Sequence, residues 1–557
     1  VVWGSRTGKK RLAGKDPAHV MTTPDIIFIV LDTQRADRLG CYGHDRPTSP
    51  NLDRFAERSV LFEQAVSPAQ WTIPSHASLF TGQYPTTHGV TQSSQGLSPD
   101  RPHVAEVLGQ AGYETIGFCN NPLVGILNNG FKRGFETFYN YGGAIPSLPR
   151  HSSPLPAPLN YLGEGYTQFL RKISYPIQNF FGQSDLAFRV SLNAWLTPIW
   201  SKLANFKGQN PRSVKDVVWY LDQREQQAPE QPLFLFLNLM ETHLPFWPPG
   251  EYIDRMAPYI RQSKEARTIM RDWNREAYRW AAPLKEPLDE LESRVLNDLY
   301  DAEVAFQDDY LGRLFAALEQ RSRAKDTITV IVADHGDGLG DHGYFGHAFV
   351  AYEELVHVPL IVNWPGRYET GQRISTPVST RRIFHTLVEA AAPAAVDELE
   401  AMPGLDLAAA RRLSLRHTIA GRDPEQQTAY SEVYPPMNFA KAIERRQPEL
   451  LDEFRCLETR RAVVRQRPSV GGKPHSAMKL IQIEGVAEEL YDLRRDPLEL
   501  DNAVGEKPEL VAALDQSLNQ MVSRVTRERD ASPSGAAAGL EADELLQKRL
   551  RGLGYLE

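Results

Sequence analysis

Cysteine is scarce in this chain: Cys41, Cys119 and Cys456 are the only three in 557 residues. An odd and widely spread set argues against a disulfide framework and against a zinc site built from paired cysteines. Long apolar runs are also missing. The richest, LFLFLNLM from Leu233 to Met240, has the length of a core strand and falls far short of a bilayer span. The first twenty residues are basic at the front but lack the apolar stretch of a secretory signal. Residues 1–23 therefore read as a flexible leader, and a cytoplasmic location is expected. Positive charge is not in surplus, since 62 Lys and Arg stand against 70 Asp and Glu. No nucleic-acid partner and no anionic lipid surface is expected from that balance. An anionic substrate is still allowed, because a bound cation can dominate the local field. No internal repeat is present.

What remains is an ordinary enzyme composition, 41% hydrophobic and 24% charged, in a chain too long for one core. Asp25 to Leu31 reads as a parallel strand buried on both faces, being continuous, apolar and β-branched. Similar runs recur at 233–237, 328–332 and 360–363. Helical patterns lie between them, at 51–59, 102–111, 213–223 and 288–319. The alternation predicts an α/β fold with a mostly parallel central sheet flanked by helices, and sites at the carboxyl ends of its strands. Residues 141–212 break the pattern with Pro-rich and then aromatic-rich sequence. They read as an insertion that forms a lid, touches a membrane through Trp195, Trp200 and Phe180, or simply packs on the scaffold. Three alternating runs between 456 and 493 predict a smaller C-terminal α+β subdomain, placed at 394–520, before a linker and terminal helix at 521–557.

Four segments carry chemistry. Asp32 follows the first strand, where α/β sheets place ligands, although an Asp there also caps turns. In WTIPSHASLFTG, residues 71–82, Pro and Gly frame a short helix with Thr72 at its start. A hydroxyl there is ordinarily an N-cap, but a nucleophile would gain from the same positive end. His243 follows the LFLFLNL strand and, alone before a Pro, is compatible with a structural role. The most informative stretch is VADHGDGLGDHGYFGH, residues 332–347, where Asp334 and His335 end an apolar strand and enter a Gly-rich loop. Carboxylate and imidazole together suit zinc or manganese better than an all-oxygen calcium or magnesium site, and the glycines would let backbone approach a ligand closely.

In order along the chain, VLDTQRADRLGCYG, TIPSHASLFTG with QYPTTHG, LFLFLNLMETHLPF, VIVADHGDGLGDHGYFGH and YEELVHVPLIV resemble the successive signatures of the sulfatase family within the alkaline phosphatase superfamily. The resemblance covers most of 24–393 and returns around 456–503. It implies that Asp32, Asp334 and His335 are metal ligands and that Thr72 is the nucleophile and itself a ligand. It also implies that His243 and His347 hold the substrate's anionic group or a second ion. His76 stands where sulfatases usually carry Arg. Sulfatases of the best-known type oxidise a Cys or Ser in C-x-P-x-R to formylglycine; here the string is Thr72-Ile73-Pro74-Ser75-His76. Threonine oxidation would give a ketone, so that chemistry is not expected. Thr33 replaces a second Asp, and Ser93 stands where relatives often have Asn. The expectation is a metal-dependent ester hydrolase acting through Thr72, on phosphoesters first and sulfate esters second, with small-molecule, glycan-linked or lipid-linked anionic substrates. His243, His347 and His76 are the expected catalytic partners of Thr72, and His347 is also a candidate ligand. A transferase and a non-catalytic binding scaffold are the remaining alternatives.

Overall fold

The computed structural model describes residues 23–143, 146–149, 207–467 and 476–532. Most of the expected leader, nearly all of the 141–212 insertion and the segment beyond 532 lie outside the described residues.

The large sheet contains β1 (Asp25–Leu31), β2 (Val60–Val66), β3 (Glu114–Cys119), β4 (Thr137–Asn140), β5 (Leu233–Leu239) and β6 (Thr327–Val332). A two-stranded ribbon follows, β7 (Gly338–Leu339) with β8 (Phe345–Gly346), and then β9 (His357–Asn363), β10 (Gln372–Ile374) and β11 (Val378–Ser379). The sheet order is β10-β2-β9-β6-β1-β5-β3-β4, with β11 beside β2. Every pairing in it is parallel except those of β9 with β6 and β2.

The continuous apolar run of β1 has a simple cause. Ile27, Ile29 and Leu31 enter one core with the helices Asn210–Gln227 and Glu290–Glu319. Ile26, Phe28 and Val30 enter the opposite core with the helices Thr72–Thr81 and Arg382–Ala391. Both faces are covered, so neither set of alternating positions can be polar.

The C-terminal unit is an antiparallel sheet of β12 (Thr428–Val433), β13 (Arg460–Arg467), β14 (Ser476–Ile483) and β15 (Val486–Asp492). The helix Pro508–Asp530 buries Leu514, Leu518, Met521 and Val525 against Val463, Met478, Leu480 and Leu490. Their spacing by three and four residues is the apolar stripe of a surface helix.

Candidate active site

Strands β6, β1 and β5 are neighbours, and the residues just past their carboxyl ends converge. Asp32 follows β1 directly and its backbone N–H donates to Leu239 O on β5 (2.8 Å). Asp334 lies two residues beyond β6, and both carboxylates are fully buried. Their loops are pinned from several sides. Tyr300 OH donates to Thr33 O (2.7 Å), Thr242 Oγ1 to Asp32 O (2.7 Å) and Ser75 Oγ to Asp334 O (2.6 Å).

Each carboxylate has one oxygen engaged and one without a hydrogen bond. Asp32 Oδ2 accepts from Asn121 Nδ2 (2.6 Å), whereas Asp32 Oδ1 has no hydrogen-bond partner among the described residues. Asp334 Oδ1 accepts from the backbone N–H of His335 (2.9 Å) and of Thr33 (3.2 Å). Asp334 Oδ2 makes no hydrogen bond of good geometry; its polar neighbours are His76 Nδ1 (3.3 Å) and His335 Nε2 (3.4 Å). Burial and the charge of Asp334 push the Asp32 carboxyl well above the usual range. Burial acts on Asp334 in the same direction, but the neighbouring imidazoles of His335 and His76 outweigh it and hold Asp334 low. Two buried carboxylates with unsatisfied oxygens side by side are costly unless a cation joins them. The donors therefore fit a divalent metal. Asp32, Asp334 and His76 each offer a ligand atom, all within 4.8 Å of one another.

Thr72 opens the helix Thr72–Thr81 as its first residue, with Trp71 at the N-cap position and no side-chain cap bond. This corrects the capping reading of the hydroxyl. Thr72 Oγ1 instead lies 3.3 Å from His335 Nε2. His335 donates its Nδ1–H to Gly336 O (2.8 Å), so Nε2 carries the lone pair, and burial pushes this imidazole down to about 4. His76, one turn on from Thr72, lies on the same helix face and is fully buried.

His243 and His347 close the other side. The His347 ring centroid is 4.5 Å from His335 and 5.0 Å from His243. His243 donates Nδ1–H to Leu244 O (2.7 Å), and burial together with His347 holds it well below the usual imidazole range. Lys207 steadies this loop, donating to Pro245 O (3.1 Å) and to Glu303 Oε1 (2.8 Å). His347 is aimed by Asp337, because the β7–β8 ribbon sets the residue before β7 opposite the residue after β8. Two of the loop glycines are required by neighbouring protein backbone. A Cβ on Gly336 would stand 2.0 Å from Glu354 O, and one on Gly346 would stand 2.1 Å from Trp280 O.

All seven side chains expected at the site, Asp32, Thr72, His76, His243, Asp334, His335 and His347, thus lie together beyond the carboxyl ends of the sheet's central strands. Asn121, Asn238 and Asp337 belong with them and were not anticipated. The Asp-Gly-Leu and Phe-Gly-His strings at either end of the ribbon were the available signal for Asp337.

The sulfatase family model matches residues 24–393. The chain belongs to the sulfatase family. Its relatives include an arylsulfatase of Clostridium perfringens, 25% identical over an alignment of 413 positions that covers 72% of this chain and 81% of that protein. Among solved structures, the phosphonate monoester hydrolase of Agrobacterium radiobacter aligns at a TM-score of 0.58 with 20% identity, covering 90% of this chain and 96% of its own. A protein solved with its substrate D-glucosamine-2-N,6-O-disulfate aligns at 0.59 with 17% identity, covering 93% and 100%. This sulfatase-family member is a hydrolase of ester bonds, and the family's use of a divalent metal matches the buried acidic donors described above. No helix among the described residues is long and apolar enough to cross a membrane.

Proposed function

We propose that this chain hydrolyses phosphoesters, diesters or monoesters, with Thr72 as nucleophile, and that sulfate esters are its second substrate class. The observation that carries the reading is Thr72 Oγ1 itself. It is a buried hydroxyl at a helix N-terminus, 3.3 Å from His335 Nε2, in a site whose two buried carboxylates each have one oxygen without a hydrogen bond. Threonine supplies a single hydroxyl and no aldehyde hydrate, so an ester formed on it must be opened by water at the central atom. Phosphorus tolerates that second displacement readily.

Asp32 and Asp334 would hold the divalent ion, with His335, Thr72 and His347 as further candidate donors, and the mixed oxygen and nitrogen set favours zinc or manganese. Bound there, the ion would neutralise charge on the transferred group and ease deprotonation of the attacking oxygen. Thr72 gives up its hydroxyl proton to solvent water and forms the oxygen–phosphorus bond while the bond to the leaving oxygen breaks. Where His347 does not ligate the ion, its Nδ1–H stays held by Asp337 while Nε2 takes up a second proton from solvent and passes it to that leaving oxygen. His243 contributes hydrogen bonding to the group in flight. Water then cleaves the Thr72 ester and restores the hydroxyl. The substrate is a small-molecule, glycan-linked or lipid-linked anionic ester.

The test is a paired screen of metal-repleted protein on aryl phosphate, aryl phosphodiester and aryl sulfate, with Thr72→Ala as control. Phosphoester turnover that disappears in the variant supports the reading. Dominant sulfate turnover would replace it with direct sulfuryl transfer through Thr72 or water.

A further inference from the structure

The orientations of two buried amides behind the site are fixed by main-chain donors. Asn121 Oδ1 accepts from the backbone N–H of Leu123 (2.8 Å), which turns Asn121 Nδ2 onto Asp32 Oδ2 (2.6 Å). Asn238, the sixth residue of β5, accepts the backbone N–H of Asn121 on its Oδ1 (3.0 Å). Asn238 Nδ2 consequently faces Asp32 Oδ2 and His76 Nε2, at 3.4 Å from each. An amide N–H pointed at Nε2 requires a lone pair there, so the proton of a neutral His76 sits on Nδ1. That Nδ1–H is donated to Thr72 O (3.0 Å), and Asp334 Oδ2 lies beside it as a charge contact at 3.3 Å.

We infer that His76 is a positioning residue and not a metal ligand: its Nδ1–H, donated to Thr72 O beside Asp334 Oδ2, and its Nε2, facing Asn238, set Asp334 relative to Asp32 and so fix the gap between the two carboxylates. By distance alone His76 could share an ion with the two aspartates. The hydrogen-bond accounting decides otherwise, because the nitrogen nearest Asp334 bears a hydrogen and the other one already serves Asn238. The same belt runs from the nucleophile's own backbone carbonyl to both carboxylates, so it couples the place of Thr72 to the place of the metal. Outer partners of this kind hold carboxylate ligands in register and govern affinity without touching the ion. The inference rests on reading Asp32 and Asp334 as a metal centre.

Cobalt(II) titration of metal-free full-length protein tests it, read by affinity and by the visible absorption bands of the bound ion. His76→Asn places an amide N–H near the position of Nδ1 and should keep cobalt affinity close to wild type. His76→Ala and Asn238→Leu should weaken it by about 10–100-fold. At saturating cobalt the bands should stay in place in all three. Band shifts in both His76 variants, with His76→Asn as damaging as Asp334→Asn, would make His76 a ligand and overturn the inference. Unchanged affinity in His76→Ala would overturn it as well. Thermal unfolding of each variant without metal checks the fold; should Asn238→Leu fail to fold, the two His76 variants decide alone. A wild-type protein that takes up no cobalt would defeat the metal-centre reading itself, a different result from either of the others.

Discussion

His347 and Asp337 meet across the β7–β8 ribbon, with Nδ1 2.8 Å from Oδ1, and Asp337 is fully buried. The carboxylate fixes which ring nitrogen of His347 bears the proton at rest and stabilises the imidazolium that forms when the ring gains a second. Asp337→Asn keeps an acceptor in place but removes the charge. We expect kcat to fall by about 10–100-fold, as for other outer-shell partners, with little change in KM. Steady-state kinetics with Tm as a fold control checks this. An equal rise in KM with kcat intact would mean that His347 binds substrate and transfers no proton.

Thr72→Ala should lower kcat by roughly 10⁴-fold or more, the scale seen when a nucleophile is deleted. The Oγ1 contact to His335 is the hydroxyl's sole side-chain hydrogen bond among the described residues, so Tm should barely move. Thr72→Ser keeps the hydroxyl and should retain measurable turnover. Substantial activity in the alanine variant would remove Thr72 from the mechanism.

The parts of this site that were legible in the sequence are those where one strand or one helix turn sets the geometry. Asp32, His243 and Asp334 each follow an apolar run, and the strand's end places them. His76 follows Thr72 by four residues, and the helix places it. Asn121 and Asn238 reach Asp32 only because β3, β5 and β1 lie side by side in the sheet, an order that no local pattern encodes. An Asn within a strand or at a loop start reads as turn chemistry. β2 was missed because Glu63 and Gln64 interrupt its apolar run where that stretch is half-buried. β3 is six residues long with a glycine inside, too brief for periodicity to separate it from loop. The Pro and aromatic content of 141–212 reads as an insertion, and composition alone does not decide its role.

Metal should matter to stability in a way that separates Asp32 from an ordinary core residue. Saturating wild type at 100 times the dissociation constant should stabilise it by about 2.7 kcal/mol, read as a higher Tm that a chelator reverses. Asp32→Asn should abolish that increment. In metal-free protein, however, it should leave Tm unchanged or raise it, because burial and the neighbouring Asp334 already disfavour a charged carboxylate there. A large loss of metal-free Tm in this variant would show that Asp32 supports the fold by its charge, contrary to the orphaned oxygen seen here.

His342 predicts a pH effect located away from the chemistry. It occupies the left-handed region at φ +50, stacks on Tyr352 with centroids 3.8 Å apart, and contacts Glu354 Oε1 (2.9 Å) and Glu499 O (3.2 Å). Burial alone would lower its pKa, but the hydrogen bond and charge of Glu354 outweigh that and raise it to about 9. The folded state therefore binds the proton more tightly than the unfolded chain, whose imidazole titrates near 6.5. The stabilisation is fully present below pH 6.5 and is lost as pH rises through about 9. Tm measured from pH 6 to 10 should fall across that window more steeply in wild type than in His342→Gln. Parallel curves would mean that the Glu354 contact is made by a neutral ring. The Glu354 contact joins the loop between β7 and β8 to the segment just before β9, so its loss at high pH should also loosen the ribbon that aims His347. Hydrogen exchange at Leu339 and Phe345, the ribbon's paired residues, should rise over the same range beyond the intrinsic pH dependence, and that excess should be absent in His342→Gln.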